Sequence, residues 1–201
     1  MKWRSTLFLL CGVLLISCGK EEMPESRINR TIIIYMAADN NLSIDARTNI
    51  KEMQSGFEDK GVNLVVFLDP ADDVPQILKI GHNNSTVVKE YPEFNSAEAM
   101  QMKQVLNDII QMYPAQEYRL ILWSHGTSWL PAGSSLRSFG EDSGNQMNIP
   151  DLAENLPVKF DFILFDACLM GSVEVVYELK EKANFIISSS TETIFKIKDK
   201  K

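Results

Sequence analysis

Apolar and polar positions follow two periods along the chain. TIIIYM at 31–36 is a short unbroken apolar run, rich in β-branched residues, as a strand buried on both faces of a sheet requires. From 44 to 57 the apolar positions Ala46, Ile50, Met53 and Phe57 fall on one helical stripe, and Ser43 stands where an N-cap would. Residues 62–68 read as a second buried strand, and 76–80 with 86–91 as a hairpin turning through Gly81, His82, Asn83 and Asn84. Ser96 opens a helix with Met102, Val105, Ile109 and Met112 inward, and Pro114 closes it. Residues 118–123 give a third core strand. The polar, Gly- and Ser-rich stretch 127–147 reads as a long loop, and unusually long loops often carry function. A short helix near 150–155 leads to a fourth strand at 160–165, a helix over about 170–182 and a fifth strand at 184–188. Strands alternating with helices predict an α/β fold in three layers, a mostly parallel sheet covered on both faces.

The first residues change the compartment. Lys2 and Arg4 precede an apolar run from Thr6 to Ile16, too short to span a bilayer comfortably, which fits a secretory signal. It ends in LISC at 15–18, which resembles the lipobox of bacterial lipoproteins, whose cysteine is acylated and becomes the mature N-terminus. Residues 1–17 are therefore expected to be a lipoprotein signal peptide and Cys18 the lipidated residue. The other reading is an ordinary signal or short anchor that happens to carry a cysteine. Residues 18–30, polar and charged with one proline, are expected to be a flexible tether. The protein would then be exported and held on a membrane through its N-terminal lipid, with residues 31–201 as the folded domain. That leaves about 170 residues, enough for one domain with a real core. Loss of residues 1–17 removes Lys2 and Arg4 and no acidic residue, so the formal charge moves from −7 to −9. An acidic domain without a basic cluster argues against nucleic acid as a partner.

Cysteine count then matters. Of three cysteines, Cys11 leaves with the signal and Cys18 is blocked by lipid. Cys168 is the only thiol left, so no internal disulfide can form. A lone thiol is either a buried small hydrophobe or a reactive group. Position favours reactivity. In open α/β sheets ligands bind beyond the carboxyl ends of the strands. There, WSHG at 123–126 places His125 after the third strand, and FDACLM at 165–170 places Cys168 after the fourth. If those strands are neighbours, both side chains reach one sheet edge. An imidazole can take the thiol proton and make the sulfur a nucleophile toward a carbonyl carbon. A helix starting just after Cys168 would favour the thiolate through its dipole. The backbone N–H groups of Gly126 and Cys168 could together form an oxyanion hole. His82 lies in the expected hairpin turn and reads as solvated. Two histidines and one thiol without ligand spacing argue against a metal site. The sequence has no serine-hydrolase elbow, dinucleotide-binding loop or P-loop motif.

TIIIYMAADNNL at 31–42, LILWSHG at 120–126 and FDACLM at 165–170, in that order, resemble the clostripain-like cysteine peptidases, relatives of caspases, gingipains and legumains. The resemblance covers residues 31–190 and implies a caspase-like fold with His125 and Cys168 as a catalytic dyad. It also implies peptide or protein substrates cut after Arg or Lys. No cofactor is needed for that chemistry; calcium enters by resemblance alone. Asp166 matches a position that lines the acidic primary pocket, the alternative being a helix-cap or structural carboxylate. Asp39, after the first strand, reads as a loop-ordering residue. Relatives are often cut within the loop between the histidine and cysteine strands, and Arg137 is the one basic residue of the stretch 127–147, so it is either a self-cleavage point or a plain surface arginine. After Glu192 the sequence departs from the family and runs TIFKIKDKK at 193–201, resembling a truncated or frame-shifted end. By resemblance, part of the pocket and the C-terminal side of the sheet are missing, and the strand at 184–188 is left as an edge. Two other functions stay open: a truncated, catalytically weak or inactive remnant, and a lipoprotein binding module with a structural cysteine.

Overall fold

The computed structural model describes residues 30–129 and 137–192. The expected signal peptide, Cys11, Cys18, nearly all of the tether and the tail 193–201 lie outside them. The described residues form β1 (Arg30–Ala38), α1 (Ser43–Gly56), β2 (Val62–Pro70), β3 (Gln76–Gly81), β4 (Asn84–Glu90), α2 (Ala99–Met112) and β5 (Glu117–Trp123). There follow β6 (Gly126–Trp129), β7 (Arg137–Asp142), β8 (Asn145–Asn148), α3 (Ile149–Asn155), β9 (Phe160–Asp166), α4 (Val173–Leu179) and β10 (Ala183–Ile187). Seven strands make one sheet in the order β10-β9-β5-β1-β2-β3-β4. Its first five strands are parallel, and β2-β3-β4 continue it as antiparallel pairs. Helical crossovers join the parallel strands, which is why their apolar runs are unbroken.

The two faces are covered unequally. On one, Ile33, Tyr35, Val65, Phe67, Leu120, Leu122, Ile163 and Phe165 pack against α2, α3 and α4. On the other, Ile34, Met36, Leu64, Val66, Leu68 and Trp123 pack against α1 through Ala46 and Ile50, with Met53 and Phe57 partly buried beside them. The part of that face over β5, β9 and β10 is more open. Phe162 and Leu164 are half-buried, and their cross-strand partners Phe185 and Ile187 are 67% and 48% exposed. Among the described residues β10 is one edge of the sheet, as expected of the strand at 184–188, and β4 is the other.

Several local expectations need correcting. The stretch 127–147 is not one long loop, because most of its described residues form a three-stranded antiparallel sheet in the order β6-β7-β8. Asp142 and Asn145 are cross-strand partners, and the two residues between them, Ser143 and Gly144, have φ of 46° and 85°. Both central residues at positive φ make the tight connection that suits strand twist, and a polar Ser-Gly pair supplies it. Arg137 therefore opens a strand. Ser43 does not cap α1: Leu42 is the N-cap residue, and the Ser43 hydroxyl accepts from the Ala71 amide at 3.2 Å. Ser96 is buried ahead of α2, which begins at Ala99, and Met112 is 38% exposed rather than inward. The helix expected over 170–182 is shorter, with Ser172 as its N-cap, its hydroxyl accepting from the Val175 amide. Cys168 stands four residues ahead of that cap, which removes the helix dipole as an activator of the thiol.

Candidate active site

Parallel strands β1, β5 and β9 lie side by side, so their carboxyl ends open on one sheet edge. Trp123 and Asp166 are cross-strand partners. His125 and Cys168 each lie two residues beyond that pair, past the carboxyl ends of neighbouring strands. Gly126 shows how closely the strand ends approach. A Cβ there would lie 2.6 Å from the Cys168 carbonyl oxygen, 2.9 Å from Met170 Sδ and 3.1 Å from Ala167 Cβ. Glycine is needed here for space. Gly126→Ala is expected to cost about 1–3 kcal/mol of stability, since the Cys168 carbonyl cannot yield without moving its loop. Denaturant unfolding against Gly56→Ala, a position with nothing within 4 Å, measures it. Equal midpoints for the two variants would contradict the close approach.

The Cys168 loop is bent and tied down. Leu169 has φ of 62°, uncommon for a residue with a γ-branched side chain and typical of positions held by their surroundings. Its amide donates to the Thr191 carbonyl at 3.1 Å, and the Gly171 amide donates to the Ser189 carbonyl at 2.7 Å. The segment after β10 thus braces the loop that carries the thiol. Cys168 is partly exposed.

His125 is braced from the other side. Its backbone carbonyl accepts from the Gly140 amide at 2.9 Å. Buried Ser124 donates its hydroxyl to the Ala37 carbonyl at 2.6 Å and accepts from the Glu141 amide at 3.2 Å. The β1–α1 loop joins the same network. Asn40 donates to the carbonyls of Ala37 and Glu141 at 3.1 and 2.6 Å, and its Oδ1 accepts from the Leu42 amide. Asp39 accepts the Ser143 hydroxyl at 2.7 Å on its carboxylate and the Ser143 amide on its carbonyl, in keeping with a loop-ordering role. Next in line, Asn41 Oδ1 accepts from His125 Nε2 at 2.7 Å. Sequence reasoning missed Asn41. The signal was an Asn-Asn pair after β1, at the edge already assigned to His125 and Cys168.

Asp166 is half-buried at the end of β9, on the face that α1 leaves open over β5 and β9. Burial raises its pKa above the ordinary carboxylate value. His82 sits apart in the β3–β4 turn, its Nδ1 3.2 Å from the Phe57 carbonyl oxygen. A polar cleft of about 400 Å³ between the start of α2 and the β8–α3 segment includes none of His125, Cys168 and Asp166. Among the described residues no three His, Cys, Asp or Glu side chains gather to hold a metal ion.

The clostripain family model matches residues 34–195. Clostripain of Hathewaya histolytica is 26% identical over 189 residues, covering 75% of this chain and 36% of that protein. A secreted C11 cysteine protease from Bacteroides thetaiotaomicron, solved with an irreversible peptide inhibitor, is 38% identical at a TM-score of 0.73, covering 83% of this chain and 50% of that one. An inactive zymogen C11 protease from Parabacteroides distasonis is 37% identical at a TM-score of 0.71, covering 86% and 51%. The chain spans about half the length of these two solved proteins. Their likeness extends over the caspase-like α/β/α architecture expected from the sequence. The match to the family model runs from β1 past β10, and the chain belongs to the clostripain family of cysteine peptidases.

Proposed function

We propose that the protein is a cysteine endopeptidase cutting after Arg or Lys, with Cys168 as nucleophile and His125 as its proton partner. The observation that carries this is the register of β5 and β9, which brings both residues to one sheet edge with Gly126 against the Cys168 carbonyl. In this reaction His125 takes the thiol proton and the sulfur attacks the scissile carbonyl carbon. The backbone amides of Gly126 and Cys168 stabilise the oxyanion. As the C–N bond breaks, His125 passes the proton to the leaving amine. Water, activated by His125, then hydrolyses the thioester and restores the thiol. Asp166 receives the substrate's basic side chain, and an approaching guanidinium or ammonium draws its carboxyl back toward the ionised form.

The test is labelling with peptidyl electrophiles ending in Arg, Lys, Leu or Glu. Modification of Cys168 by the basic pair alone supports the reading; equal labelling by all four, or none, sinks it. A second reading, a folded but catalytically silent domain, is favoured by the open face over β5, β9 and β10 beside Asp166. Absence of labelling in a cooperatively folded chain selects that one.

Maturation and location belong to the same proposal. The Parabacteroides relative is described as a zymogen, which supports self-cleavage after Arg137. Arg137 begins β7 and Ser138 is buried, so cutting requires the start of that strand to leave the small sheet. Intact-mass analysis is expected to show a cut after Arg137 that disappears in Cys168→Ala; an uncut chain that is fully active excludes it. The secreted Bacteroides relative supports export, and Cys18 would anchor the domain to a membrane. Palmitate incorporation that persists in Cys18→Ser would rule the anchor out.

A further inference from the structure

We propose that Asn41 is a positioning residue for His125, holding the imidazole with Nε2 turned to the β1–α1 loop and Nδ1 turned to the thiol side. This rests on the reading of His125 as the proton partner of Cys168. The contact is a 2.7 Å hydrogen bond from Nε2 to Asn41 Oδ1. An amide oxygen only accepts, so Nε2 carries the proton and Nδ1 is left as the basic nitrogen.

The geometry of Asn41 is set by residues on both sides. Asn40 is held by its side chain to the carbonyls of Ala37 and Glu141, and Asp39 is held to Ser143. On the far side Leu42 is buried in the α1-side core, and its carbonyl accepts from the Ala46 amide. Asn41 is exposed between these anchors, so its side chain has no packing role that would explain its place. His125 is fixed from its own backbone by the Gly140 amide. The segment linking Gly140 to Ser143 therefore holds His125 directly and Asn41 through its neighbours Asp39 and Asn40, so histidine and asparagine are set against one frame. A neutral amide suits this task. It orients the ring without adding charge, whereas a carboxylate there would favour the imidazolium.

Three variants of the full chain test this. Asn41→Asp should raise the His125 pKa by about one unit in an NMR titration, because a carboxylate replaces the amide against Nε2. The sequence contains two histidines, and His82 on the β3–β4 turn serves as the internal reference that should not move. Asn41→Ala should lower kcat by roughly 10-fold or more with KM within about 3-fold and an unchanged melting temperature, as expected where only the ring's orientation is lost. Asn41→Gln, which keeps the acceptor on a longer arm, should recover part of that loss. A His125 titration in Asn41→Asp identical to wild type, or a fully active Asn41→Ala, overturns the proposal. A fall in melting temperature that accounts for the lost rate also overturns it. The titration needs no turnover. If His125→Ala and Cys168→Ala show that the dyad reading is wrong, it still decides whether Asn41 holds the ring.

Discussion

Cys168→Ala is expected to lower kcat/KM for peptides with Arg or Lys at the cleavage site by roughly 10⁴-fold or more, with no change in melting temperature. The size follows from chemistry. Alanine leaves no atom to form the thioester, so what remains is substrate binding and whatever the backbone amides of Gly126 and Cys168 contribute. Stability should hold because the side chain is partly exposed and its loop is fastened by backbone bonds, Leu169 to Thr191 and Gly171 to Ser189. His125→Ala should cost a similar factor, and the double variant should be little worse than either single one, since two groups that act on one proton do not add. Residual activity in Cys168→Ala above about one per cent would mean another nucleophile. Two independent, additive losses would mean that His125 and Cys168 do not act as a pair.

The place of His125 and Cys168 beyond the ends of neighbouring strands was legible because it needed only strand order and strand ends. Unbroken apolar runs identify β1, β2, β5, β9 and β10 as parallel strands, and a side chain placed just past such a strand can only lie at the carboxyl edge. Interactions that cross the chain without leaving a periodic trace were not legible. The stretch 127–147 is polar because its small sheet is short and curled by Gly140, Ser143 and Gly144, each at positive φ, so no alternation survives. The last helix was read too long because apolar residues continue from 169, whereas Leu169 sits at positive φ and Gly171 lies against the backbone of Ser189 and Ser190. The bond between Asn41 and His125 spans 84 positions. An Asn-Asn pair reads locally as a turn, and only the fold shows that its second member faces the imidazole.

Stability is expected to fall as pH rises from about 4 to about 7, and Asp69→Asn should flatten that part of the profile. Asp69, one residue before the end of β2, lies opposite Ala37 with no exposed surface, and neither carboxylate oxygen has a hydrogen-bond donor. Burial is the main cause that pushes its pKa to about 7; the carboxylates of Asp142, Glu93 and Asp39 push the same way, and the nearby Ser96 hydroxyl, short of a formed hydrogen bond, opposes them. Asp142 is also raised by burial, with Asp39 adding to the shift. Tyr35, packed beside them, is held well above its ordinary value by burial and by these same acids. Protonated Asp69 gains an O–H that it can share with Asp142, which removes one of two neighbouring charges. The unfolded chain gives up that proton near the ordinary aspartate pKa and the folded chain keeps it to about 7. The folded state therefore loses ground as pH rises between those values, by up to about 1.4 kcal/mol per pH unit for one proton, and levels off above. Other carboxylates also titrate at the acid end, so the measurement is the difference between wild type and Asp69→Asn in denaturant unfolding at pH 5 and pH 8. Asparagine should gain on wild type at pH 8 and lose that gain at pH 5; parallel profiles would show that Asp69 does not hold a proton. Asp142 lies in the strand whose turn, through Glu141 and Ser143, fastens the loop bearing Asn40 and Asn41. Loss of that proton is therefore expected to weaken the brace on His125 along with the sheet, so on the alkaline side Asp69→Asn should hold kcat as well as stability.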